Sequence, residues 1–123
     1  MPPTLLSEEW LAACNEALAR CAAPPDGAAP LVVTEVITGA PDGIVGAVTL
    51  VADPDGVRLV AGGRDDATAW LTMSMDDAVA LHEGRIDPAG ALTAGRVKVR
   101  GDLGAVTAAS ALLAAAHAAM RAR

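Results

Sequence analysis

Histidines, cysteines and adjacent carboxylates are the side chains in this 123-residue sequence with the chemistry to build a site. His82 and His117 stand alone, with no HExxH-type partner, and each reads as a helix-end or surface residue, where a cation suits the helix dipole. Cys14 and Cys21 fall on one expected helix, about 10 Å apart at the helical rise, too far for a disulfide. Without CxxC spacing or a neighbouring histidine they read as small buried apolar residues in a reducing compartment. The carboxylate pairs Glu8-Glu9, Asp65-Asp66 and Asp76-Asp77 sit in expected loops or first helical turns. Sequence neighbours do not share a helix face, so solvated caps explain these pairs better than acid–base catalysis does. Ser74-Met-Asp-Asp77 has the form of a helix N-terminus, not of a nucleophile elbow. Gly101-Asp-Leu-Gly104 joins a strand to a helix but has neither GxGxxG nor GxxxxGKS/T, and Asp102 would repel a phosphate. No set of these residues makes a catalytic, metal or cofactor site.

The elements that would carry these residues can be read from periodicity. Ser7 caps a first helix with Glu8 and Glu9 in its first turn; Leu11, Cys14, Leu18 and Cys21 form its apolar stripe, with Asn15, Glu16 and Arg20 off it, and Pro24-Pro25-Asp26-Gly27 ends it. Strands are expected at 31–38, 44–52, 57–61 and 67–73, joined by the turn-rich runs 39–43 and 53–56 and the loop 62–66. The second strand is apolar on both faces, which suits a central position or a partner on its second face. Ser74 caps a short helix ending at His82-Glu83-Gly84, and Asp87-Pro88 opens a further helical turn through Leu92. The stretch 96–100 alternates, with Val97 and Val99 on a dry face and Arg96, Lys98 and Arg100 facing water. Asp102 then caps a long helix with Leu103, Val106, Ser110, Leu113, His117 and Met120 at spacings of three and four. Alanines widen that stripe until the helix is apolar almost all round, so it must be buried on more than one side or face a ligand or partner. Hairpin strands segregated from helices indicate an α+β fold, and the length suits one domain over residues 1–123.

Composition narrows the function. The chain has no Phe or Tyr and only Trp10 and Trp70, so its interior is built from small aliphatic side chains that pack very closely or leave a cavity. A net charge of −6 with so few aromatics argues against nucleic acid and against adsorption to anionic membranes. The N-terminus lacks the form of a signal peptide, and His117 and the closing Arg121-Ala-Arg123 interrupt the last helix as a membrane span. A soluble, cytoplasmic protein without stable membrane insertion is expected.

From about residue 71 to 113 the chain resembles the sterol carrier protein 2 (SCP2) family of small lipid-transfer domains. The matching residues are Leu71-Thr-Met-Ser74, Asp76-Asp77, Gly84-Arg-Ile-Asp-Pro88, Ala91-Leu92 and Gly95-Arg-Val-Lys-Val-Arg-Gly-Asp-Leu103. They follow the family's order: a helix-starting acidic pair, a G-basic-apolar-x-P turn, an alanine-aromatic pair, and G-K-L-K-I-x-G-(N/D) before the last helix. Residues 1–70 match only in layout. The resemblance implies a five-stranded sheet with helices packed on it, an apolar tunnel for a fatty acid, acyl-CoA or sterol-like lipid, no catalysis and no bound cofactor. Two departures bear on the ligand: Leu92 replaces the aromatic of the alanine-aromatic pair, and no Phe is available for a tunnel wall. The C-terminus does not match the peroxisomal tripeptide of eukaryotic members, which fits a bacterial cytoplasmic setting.

On this reading Val48, Leu50, Trp70, Leu92, Val97, Val99, Leu103, Val106, Leu113 and Met120 line the cavity. Two other readings stay open. The apolar surplus would equally serve as a dimer face or a docking face for an enzyme. A small enzyme acting on a lipid-like substrate would need a polar group in the cavity, with Asp102, His117 or Asp76 as candidates.

Overall fold

The computed structural model describes residues 6–21, 30–42, 44 and 46–121, the side chains of Cys21, Pro88 and Arg121 excepted. The expected helix stop at 24–27, Gly43 and Val45, and the two chain ends lie outside them.

Helix α1 (Glu8–Cys21) starts where Ser7 Oγ accepts from the Trp10 amide at 3.1 Å. Its buried face is Trp10, Cys14, Ala17 and Leu18, at steps of four, three and one. Three strands follow in a meander, β1 (Leu31–Thr38), β2 (Ala47–Asp53) and β3 (Gly56–Ala61), all antiparallel to their neighbours. The chain then crosses to the far side of β1, where β4 (Ala69–Ser74) pairs parallel with it and β5 (Lys98–Gly101) pairs antiparallel with β4. The resulting five-stranded sheet has the order β3-β2-β1-β4-β5. Together with α1, α2 (Met75–His82), α3 (Pro88–Thr93) and α4 (Leu103–Arg121) it makes an α+β fold, as expected. β1 lies at the centre, and the apolar β2 is an interior strand between β3 and β1, buried on both faces.

Strand alternation sorts the sheet into two faces. The inner face carries Val33, Glu35 and Ile37 of β1, Val48 and Leu50 of β2, Leu59 of β3, and Leu71 and Met73 of β4. The outer face carries the buried Thr34 and Thr49, whose hydroxyls meet at 2.9 Å, while Thr49 also donates to the Gly62 carbonyl at 2.8 Å. The β3–β4 connection supplies that carbonyl as it passes over this face. One inner contact closes an edge: Asn15, expected off the apolar stripe of α1, donates to the Leu59 carbonyl at 2.9 Å and accepts from the Leu59 amide at 2.6 Å. It thereby satisfies groups that β3, an edge strand, leaves without a strand partner.

β5 starts two residues later than its apolar alternation suggests, for a reason in α3. Gly95, at φ 77°, ends that helix; its amide bonds the Leu92 carbonyl at 3.1 Å and the Arg96 amide bonds the Ala91 carbonyl at 3.0 Å. The amide of Arg96 is therefore committed to a helix cap and cannot enter a ladder. Gly84 closes α2 in the same way, at φ 76°, with the Arg85 amide on the Ala80 carbonyl at 2.9 Å. Strands β2 and β4 also start later than expected: Ile44 belongs to a turn bonded to Pro41, and Thr68 bonds Val32 ahead of the ladder.

Helix α4 is capped by Asp102, whose Oδ1 accepts from the Gly104 and Ala105 amides at 2.9 and 3.3 Å. Its buried residues are Ala105, Val106, Ala109, Leu113 and Ala116. Their small size lets it lie close against α1 and the sheet. By length and composition its stretch Leu103–Met120 would suffice to cross a bilayer.

Candidate functional site

The inner face of the sheet is only partly covered by helices. Between it and α1, α2, α3 and α4 lies a cavity of about 640 Å³. The floor is Ile37, Leu59, Leu71 and Met73; α4 adds Val106, Ser110, Leu113 and His117, and α1 adds Trp10. Leu81, Ile86 and Leu92, from the end of α2 through α3, complete the wall. Apolar side chains dominate throughout, as expected of a small-molecule site.

Of the residues singled out from the sequence, Leu92, Val97, Val106 and Leu113 lie on this wall. Val48 and Leu50 share its face of the sheet but are sealed in the packed core, each 1% exposed. Val99 and Met120 pack partly buried against that core, outside the lining. Leu103, the first residue of α4, is 56% exposed. Trp70 points to the outer face, in register with Thr34 and Arg100, and the Arg100 guanidinium lies 4.7 Å from its ring centroid. Its neighbour Leu71 takes the inward position that alternation allows only one of the two to hold. Arg100 is therefore stacked on an indole, and Arg96 pairs with Asp77 at 3.5 Å; both had been expected simply to face water.

The histidines lie at or near helix ends, as expected, but not on the open surface. His82 at the end of α2 and His117 near the end of α4 are half-buried, their rings edge-on at 4.7 Å. Trp10 stands 5.7 Å from His82 and 5.9 Å from His117, so three rings from three helices form one cluster. Trp10 and His117 face the cavity. Of the three polar candidates named for an enzyme, His117 alone lines it: Asp102 is spent on the α4 cap and Asp76 is exposed in the first turn of α2. No group of three potential metal ligands occurs among the described residues.

Sequence reasoning missed Glu35. It sits on the inner face of the central strand, between Val33 and Ile37, opposite Val48 of β2 and Leu71 of β4, and it lines the cavity. Burial among these apolar neighbours pushes its carboxyl from 4.5 up to about 7. The signal was available: in Leu-Val-Val-Thr-Glu-Val-Ile-Thr the carboxylate falls in phase with Val33 and Ile37.

The model of the SCP-2 sterol transfer family matches residues 32–114, most of the sheet together with α2, α3 and much of α4. The chain belongs to the SCP-2 sterol transfer family. Solved structures of similar fold include Thermus thermophilus TT1886, a conserved protein described as a candidate sterol carrier, with a TM-score of 0.66 and 17% identity over 98% of this chain and 92% of that one. Palmitated SCP2L2 from Aedes aegypti matches with a TM-score of 0.55 and 17% identity over 72% of this chain and 76% of that one. The sec-alkylsulfatase Pisa1 from Pseudomonas sp. matches 68% of the chain with a TM-score of 0.53 and 13% identity, and there this SCP2 fold spans only 13% of the enzyme's length. At such identities these likenesses show a shared fold. No curated protein matches the sequence. Proteins of the SCP2 family are in general lipid carriers, and SCP2 folds occur as carriers and within enzymes alike.

Proposed function

We propose that this SCP2 protein binds a lipid in the inner cavity and transfers or presents it without catalysis. The observation that carries the reading is an apolar cavity of about 640 Å³ between sheet and helices, in a family named for sterol transfer. A volume of that size suits a single-chain or sterol-sized molecule. Each buried methylene contributes about 0.8 kcal/mol, so a chain of about ten supplies roughly 8 kcal/mol before association costs.

The test combines uptake of a fluorescent lipid with native mass spectrometry. The wild-type chain and Trp70→Ala take up lipid, because Trp70 lies on the outer face. A variant with Ala111→Trp and Ala114→Trp, which places two indoles on the α4 wall, folds by circular dichroism yet takes up none. Equal uptake by all three, or none by the wild type, refutes the reading.

A docking role is the second reading, favoured by Leu92 and Leu103, the two large apolar side chains left exposed among the described residues. A homodimer or an enzyme partner covering them would appear by light scattering as a complex that binds no lipid.

A further inference from the structure

A purely apolar ligand leaves the Glu35 carboxyl on the cavity wall without a partner. Glu35 is fixed on the central strand by ladders on both sides, so its carboxyl cannot be withdrawn without breaking the sheet. Among the described residues it has neither a hydrogen bond nor an ion pair, although it stands among apolar neighbours. A carboxyl so placed is costly until something pairs with it. The other ionisable groups on the wall are Asp87, in the α2–α3 connection, and His117 of α4. No lysine or arginine lines the cavity among the described residues.

We propose, building on the carrier reading above, that the ligand is an amphiphile with a hydrogen-bond-donating, non-anionic head, a hydroxyl or an amine, which Glu35 holds while the hydrocarbon body fills the apolar remainder.

The argument is one of complementarity. A hydroxyl or ammonium gives the Glu35 carboxyl the donor it lacks, and the low-dielectric wall strengthens that bond. A carboxylate or phosphate head finds no lysine or arginine on the described wall and faces the acidic Glu35 and Asp87 instead. The cavity would thus discriminate against fatty-acid anions and acyl-CoA, two of the classes that the family resemblance alone allows.

The experiment displaces a neutral pyrenyl-alkane from the delipidated full chain with hexadecanol, hexadecylamine, palmitate or hexadecane, for the wild type and Glu35→Gln. At about pH 8 the wild type binds hexadecanol or hexadecylamine at least about tenfold more tightly than palmitate, and Glu35→Gln narrows that ratio severalfold. An advantage of the amine over the alcohol that vanishes at about pH 5.5 identifies the amine as the preferred head, because Glu35 is then neutral; an equal or better alcohol identifies the hydroxyl. Palmitate binding as tightly as hexadecanol, or a ranking unchanged in Glu35→Gln, overturns the proposal. If hexadecane binds as well as hexadecanol, the carrier reading stands and the headgroup proposal falls; if the pyrenyl-alkane itself does not bind, both fall.

Discussion

Glu35→Gln keeps the shape of the side chain and removes its ionisation, which gives a measurable signature in stability. The native chain holds the Glu35 proton up to about 7, whereas the unfolded chain releases it near the ordinary 4.5. The folded form therefore binds more protons across that interval. The contribution of the neutral carboxyl is fully present below about 4.5 and is lost as pH rises through about 7. A displacement of that size corresponds to roughly 3 kcal/mol, an upper bound, because any water reaching the carboxylate through the cavity reduces it. Glutamine has no such dependence. Urea unfolding of both proteins from about pH 5 to 8 should show the wild type losing up to about 3 kcal/mol relative to Glu35→Gln across the range. Taking the difference removes the common background of a chain with net charge −6. Any cost of burying the glutamine amide shifts the difference equally at every pH, so the slope is the readout. A flat difference, or one that rises with pH, refutes the claim that burial governs this carboxyl.

Three further substitutions test the scaffold. Asn15→Ala removes both bonds to Leu59 and leaves the β3 edge without its clasp; denaturant unfolding should show a loss of about 2 kcal/mol. Gly101→Ala would place a Cβ against the Thr68 carbonyl and the Ala69 Cα at φ 97°, and thermal unfolding should show a cost of about 3 kcal/mol or more. Gly95→Ala, also at positive φ but with open space around it, should cost only about 1 kcal/mol.

The fold was legible where local rules decide. Ser7, Ser74 and Asp102 sit where caps were expected and accept the amides that open their helices. β1 has the bounds read from its pattern, because its alternation is bounded by turn residues at Gly39 and beyond. The site was legible only in part, since it depends on which elements meet. His82 and His117 lie on helices far apart in sequence, and no local spacing announces that their rings touch Trp10. Trp70 was assigned to the wall for its size, although in a strand it must point opposite to its neighbours Ala69 and Leu71, both buried on the other face. Glu35 went unnoticed within an apolar run, where phase rather than composition carried the information. The late start of β5 followed from a glycine cap that competes for the same amide, a conflict that strand alternation does not reveal.

Gly84 and Gly95 bracket the stretch that forms one side of the cavity, and among the described side chains of α3 only Ala91 is buried. Detaching that stretch exposes little apolar surface, whereas opening β1 breaks ladders on both sides, so the two events differ widely in free energy. On the proposed carrier reading, residence time and thermodynamic endurance would be governed by different parts of the molecule. Substitutions that fortify the sheet would then lengthen the life of the fold without slowing passage into its interior, whereas changes at Gly95 would alter that passage at the modest cost in stability given above.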